Sequence, residues 1–89
     1  MGEKVVMYST RFCPYCMRAK SLLESKGVDL ENISVDRDME KRQEMMARSK
    51  RYTVPQIWVG EIHVGGCDEL YHLERKGELD ALLAGGAPA

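Results

Sequence analysis

The 89-residue chain contains no apolar run near the roughly 20 residues that a membrane span requires. The apolar run nearest its start, Val5-Val6-Met7, follows Glu3 and Lys4 and is far too short for the core of a signal peptide, so a cytoplasmic protein is expected. No basic excess is present either. Thirteen Lys and Arg against fourteen Asp and Glu give a net charge of −1, which leaves no electrostatic footprint for nucleic acid. Cysteine is scarce and odd in number, at three, whereas a secreted disulfide scaffold is denser in cysteine and usually even. Internal repeats, linkers and length for a second core are all missing. What is there, 44% hydrophobic and 30% charged residues, suits one small globular domain. That domain is expected over residues 1–84, with a frayed tail at 85–89 built of Gly85-Gly86-Ala87-Pro88-Ala89.

Hydrophobic periodicity lays out the elements. Lys4 to Tyr8 reads as a buried strand. From Pro14 the pattern turns helical: Ala19, Leu22 and Leu23 share a face, Pro14 suits the first turn, and Gly27 suits the position past the end. A second strand is expected over residues 30–35, where Ile33 and Val35 alternate with polar residues. Strand, helix and strand make a βαβ unit, whose two strands run parallel under the right-handed crossover rule. Asp38 is expected to cap a second helix running to about Ser49, with Met39 and Met46 filling the core. Gln56–Val59 and Ile62–Val64 flank the two-residue turn Gly60-Glu61, a hairpin signal in which Trp58 belongs to the core. Asp68 is expected to cap a last helix through Leu73 that ends near Gly77. The predicted order is βαβαββα with a helical C-terminal end, an α/β fold with a mixed four-stranded sheet flanked by helices.

Cys13-Pro14-Tyr15-Cys16 is the strongest chemical signal. Lying between a strand and a helix, it places Cys13 at the helix N-terminus, where unpaired N–H groups and the helix dipole favour a thiolate, the nucleophile of disulfide exchange. Cys16 returns beneath it one turn later, within disulfide reach after modest adjustment. Between Ser9 and Leu23 there is no acidic side chain, while Arg11, Arg18 and Lys20 are all present. Two blander readings compete. The pair is inert and buried, or it is half of a zinc site completed from Cys67, His63 and His72, although none of these shows a paired ligand spacing. Cys67 alone reads as a small, partly buried residue.

Taken together, Tyr8-Ser9, Cys13-Pro14-Tyr15-Cys16, Thr53-Val54-Pro55 and Gly65-Gly66-Cys67-Asp68 resemble the dithiol glutaredoxins of bacterial type. The motifs span residues 8 to 68, and the element order matches across nearly the whole chain. The resemblance implies a thioredoxin-like fold and a glutathione-dependent thiol–disulfide oxidoreductase. Its substrates would be disulfide-containing and glutathionylated proteins, and NADPH would feed it indirectly through glutathione reductase. It further implies a monomer with no metal. Cys13 would be the exposed nucleophile and Cys16 the more buried resolving thiol. Val54 would hydrogen-bond the cysteinyl part of glutathione through its backbone, within the Thr53-Val54-Pro55 segment, and a cis Val54–Pro55 bond would turn that edge toward the sulfur. Gly66, Cys67 and Asp68 would receive the γ-glutamyl end, with backbone N–H groups for its carboxylate and Asp68 for its ammonium. Arg42 would meet the glycine carboxylate, and Tyr15 would flank the sulfur. Many members carry a lysine where this chain has Thr10, and Arg11 is the neighbouring residue able to supply that charge. A thioredoxin-like carrier fed by a flavin reductase would use the same cysteines without needing Asp68 or Arg42. An iron–sulfur carrier, sharing a cluster between two chains through Cys13 and glutathione, is disfavoured by the stiff Pro14.

Overall fold

The computed structural model describes residues 2–85, so of the expected tail only Gly85 falls within the described residues. Strand β1 (Lys4–Ser9) leads through helix α1 (Pro14–Ser25) to β2 (Asp29–Ser34), and helix α2 (Met39–Ser49) follows. The hairpin β3 (Gln56–Val59) and β4 (Ile62–Gly65) then precedes helices α3 (Cys67–Arg75) and α4 (Leu79–Leu83). The sheet order is β2-β1-β3-β4. β1 pairs parallel with β2, Val5 opposite Leu30, and antiparallel with β3, Val6 opposite Trp58. β3 pairs antiparallel with β4, with one register irregularity between Ile57 and Trp58. The mixed sheet and the parallel βαβ unit are therefore as the sequence pattern predicts.

Alternation along the central strands divides the core in two. Val5 and Met7 of β1, with Ile57 and Val59 of β3, pack against Ala19 and Leu23 of α1, Leu70 of α3, and Leu79 and Leu82 of α4. Tyr8 and Trp58 face the other way, onto Val35 and Met45. A fully buried leucine or isoleucine stabilises the fold by about 1.5–3 kcal/mol, so the first and larger cluster anchors α1, whose start bears the cysteine pair. Lys26, at the end of α1, pairs with Glu74 at 2.8 Å and Asp80 at 2.9 Å, joining that end to α3 and α4. Among the described residues no helix is long and apolar enough to cross a membrane.

Two local expectations are corrected. In α2 Met46 packs half-buried against the second cluster as expected, but Met45 is the fully buried methionine and Met39 is largely exposed, because the face of α2 toward the sheet passes through Met45 and Ser49. Asp38 does cap that helix, accepting from the Lys41 N–H at 3.0 Å. The last expected helix begins at Cys67 and is not capped by Asp68: Gly66 occupies the N-cap, and the Glu69 carboxylate reaches back to the Gly66 N–H at 2.7 Å. The expected helical C-terminal end is α4, beyond Gly77, and Leu79, Leu82 and Leu83 are its buried face.

Candidate active site

β1 ends at Ser9, and the chain turns so that Cys13 becomes the N-cap of α1 with extended backbone (φ −125°, ψ 104°). Pro14 then stands in the first turn, where a missing N–H costs no hydrogen bond. The Cys13 Sγ takes the place a serine or aspartate oxygen usually fills, accepting the Cys16 N–H at 3.1 Å. No acidic side chain lies in the first turn of α1. Both cysteines are unpaired. Cys16 is the more buried of the two, as expected, but Cys13 is less open than the resemblance implies: it is 9% exposed and Cys16 3%. Packing of Sγ against the chain opposite is the reason, since the Val54 carbonyl oxygen lies 3.9 Å away. The Cys16 thiol is pushed up to about 12, first by burial and next by the hydrogen bond and charge of the neighbouring Cys13 sulfur.

Across from Cys13 the Val54–Pro55 bond is cis. It forms one wall of an open groove of about 310 Å³ lined by Tyr15, Arg51, Thr53, Val54, Pro55, Gly66, Cys67, Asp68 and Glu69. Tyr15 is half exposed, and Asp68 is exposed at the first turn of α3. Three of the four stretches singled out in the sequence are thus brought together, and seven of the candidate residues line one groove beside the Cys13 sulfur, whereas Tyr8 is buried in the second core cluster.

Arg42 and Arg11 do not line that groove. Arg42 sits half-buried on α2. Arg11 borders a separate cleft with Thr10, Cys16, Met17, Lys20 and Asp36, its backbone N–H donating to the Asp36 carboxylate at 2.8 Å. The basic residue in the groove is Arg51, whose Nη1 meets the Glu69 carboxylate at 2.9 Å. The Gly66 N–H, and then Arg51, hold the Glu69 carboxyl below the usual carboxylate range. Glu69 stands three residues after Gly66, the N-cap found in the structure, and the expectation of a cap at Asp68 concealed that spacing.

Cys67 opens α3 and is 6% exposed, packed into the larger core cluster. Burial pushes its thiol up, only partly offset by Arg18. Among the described residues no group of three or more Cys, His, Asp and Glu side chains gathers as a metal site. His63 instead bonds Gln56 and stacks on Trp58.

Comparison with known proteins follows the same lines. The Glutaredoxin family model matches residues 5–64. A glutaredoxin of Pseudomonas aeruginosa is 58% identical over 80 residues, covering 90% of this chain and 95% of that protein. Glutaredoxin 3 of Escherichia coli is 52% identical over 79 residues, covering 89% and 95%. Among solved structures, the glutaredoxin of Brucella melitensis superposes with a TM-score of 0.85 at 48% identity, over 99% of this chain and 96% of that one. A buckwheat glutaredoxin–glutathione complex gives 0.81 at 29% identity, over 89% and 74%.

Proposed function

Since the chain belongs to the glutaredoxin family, we propose that it is a glutathione-dependent thiol–disulfide oxidoreductase in which Cys13 attacks and Cys16 resolves. The observation that carries this reading is the Cys13 sulfur at a helix N-cap, receiving an N–H at 3.1 Å and lying 3.9 Å from the carbonyl of Val54, in the wall of a groove that also holds Thr53 and Asp68. A hydrogen bond donated to sulfur stabilises the thiolate, and the absence of acids from the first turn leaves the helix dipole unopposed.

In the first step the Cys13 thiolate attacks one sulfur of a substrate disulfide. A new S–S bond forms, the old one breaks, and the departing sulfur leaves as a thiolate that takes a proton. With a protein disulfide, the Cys16 sulfur then loses its proton and attacks Cys13, releasing the reduced substrate and leaving a Cys13–Cys16 disulfide. Two of the causes that hold the Cys16 thiol protonated are the hydrogen bond and charge of the Cys13 sulfur. Both weaken once Cys13 is in a mixed disulfide, so Cys16 is released to react after the first step has occurred. With a glutathionylated protein, Cys13 takes over the glutathionyl group, and a second glutathione removes it as glutathione disulfide. Two glutathione molecules likewise reduce the Cys13–Cys16 disulfide and leave as glutathione disulfide; NADPH, through glutathione reductase, reduces glutathione disulfide back to glutathione, and potentials of about −200 to −230 mV suit a reduced cytoplasmic glutathione pool.

The groove supplies groups of the right chemistry for glutathione. The Val54 backbone, in the groove wall, would bond an extended peptide, the first-turn N–H groups of α3 would suit the γ-glutamyl carboxylate, and Asp68 would suit its ammonium. Arg51 replaces Arg42 as the partner proposed for the glycine carboxylate. The buckwheat protein, solved with glutathione, supports the ligand assignment by likeness. The test is reduction of a small mixed disulfide with glutathione, glutathione reductase and NADPH, beside thioredoxin reductase with NADPH. Turnover requiring glutathione is expected. Turnover with thioredoxin reductase and no glutathione would replace this reading by a thioredoxin-like carrier.

A further inference from the structure

Behind the groove wall lies a buried polar side chain that does not line the groove. Gln56 opens β3 and is fully buried. An amide in that position is costly unless each polar atom is bonded. Its Nε2 donates to the Thr53 carbonyl at 3.0 Å and approaches the Thr53 hydroxyl oxygen at 3.3 Å. With the nitrogen turned to Thr53, Oε1 faces His63 Nε2 at 2.8 Å. A carbonyl oxygen only accepts, so Nε2 is the protonated nitrogen of that imidazole. His63 is held in turn by stacking on Trp58, with ring centroids 4.6 Å apart and planes 29° apart. The Arg48 guanidinium lies 4.4 Å from the same indole and donates to the Tyr8 hydroxyl at 2.9 Å. A continuous chain of contacts thus runs from the second core cluster to the backbone of Thr53.

We infer that Gln56 and His63 are positioning residues for glutathione: they hold the Thr53 carbonyl and hydroxyl, and so set the direction in which Val54 offers its backbone to the groove and to Cys13. The inference rests on the groove being the glutathione site. It is specific to ligands that use the wall. A small disulfide needs only the Cys13 sulfur, whereas a glutathionyl group must also lie along Thr53 and Val54. A hydrogen bond lost from behind the wall therefore penalises the second substrate and spares the first.

The experiment compares one peptide carried as two mixed disulfides, one with glutathione and one with cysteamine. The readout is the ratio of their kcat/KM values in the unsubstituted protein and in Gln56→Met, His63→Phe and His63→Gln, with thermal melting of each. The unsubstituted protein is expected to prefer the glutathionyl substrate. Gln56→Met should lower that preference about five- to tenfold, through KM, while the cysteamine rate stays within about twofold. His63→Phe keeps a stacking ring but loses the donor, and should lower the preference about two- to threefold. His63→Gln places an amide nitrogen near the Nε2 position and should restore it. An unchanged preference in folded Gln56→Met overturns the inference while leaving glutathione in the groove. If Gln56→Met fails to fold, an unchanged preference in His63→Phe does the same. Equal rates for both substrates in the unsubstituted protein overturn the groove assignment and this inference with it.

Discussion

Two cysteines stand at the starts of two helices, and the two starts are built differently. At α1 the sulfur of Cys13 is itself the cap, accepting an N–H at 3.1 Å with no acid in the first turn. At α3 the cap is Gly66, a carboxylate satisfies its N–H, and Asp68 and Glu69 fill the first turn around Cys67. The field of a helix N-terminus is available at both. At α1 it falls on a sulfur atom; at α3 it is already answered by carboxylates, and burial pushes the Cys67 thiol up. Helix position alone does not set the two sulfurs apart; the cap atom and the neighbouring charge do.

The largest test of that contrast removes each sulfur in turn. Cys13→Ser should abolish reduction of both protein disulfides and glutathionyl mixed disulfides, and Cys67→Ser should keep activity within about threefold, since its sulfur serves as a small core group. Parallel loss in both variants, measured with the same substrate, would erase the distinction. Cys16→Ser sharpens the picture within α1: protein-disulfide reduction should be lost, and removal of glutathione from a mixed disulfide should largely remain. In the Cys13→Ser protein, Cys16 should resist iodoacetamide at pH 8, because burial is the largest cause raising its thiol.

Next in size are the charges at the groove. Asp68→Ala and Arg51→Ala should each weaken glutathione-dependent turnover about two- to tenfold, with the Arg51 effect shrinking at high salt. Arg42→Ala should change it less than about twofold, as its side chain lies away from the groove and surface charges act weakly over distance. A larger loss in Arg42→Ala than in Arg51→Ala would reverse this assignment. Putting an acid into the first turns of α1 makes it resemble α3. Met17→Glu, at an exposed position, should slow alkylation of Cys13 at neutral pH about two- to fivefold, the range of a charge near a helix end.

The smallest expected effect concerns α3 alone. Its Glu69 carboxyl is held low in the folded protein by the Gly66 N–H and Arg51. A depressed folded value contributes stability above the unfolded carboxylate value of about 4.3, which is lost as pH falls through the folded value. Glu69→Gln should therefore flatten the acid side of the melting-temperature profile and leave the alkaline side unchanged. An equal shift at every pH would show a packing role instead.

Local patterning within the sequence determined the βαβ unit, the hairpin at Gly60-Glu61, the Asp38 cap and the Cys13 helix start. Each depends on contacts between residues a few positions apart: Pro14 for the first turn of α1, and apolar alternation in the strands. The family-specific stretches also announced most of the groove, although they lie 37 residues or more apart between Cys16 and Thr53. Tertiary structure alone decided which arginine lines it, because α2 carries Arg42 elsewhere while the turn before β3 brings Arg51 to Glu69 across 18 positions. It likewise decided that Met45 rather than Met39 fills the core, since a 3.6-residue period allows several faces and only the sheet selects one. The role of Gln56 was the least legible. Its partners come from the chain on both sides of a strand and a hairpin, and a buried amide has no sequence signature apart from the bonds that satisfy it.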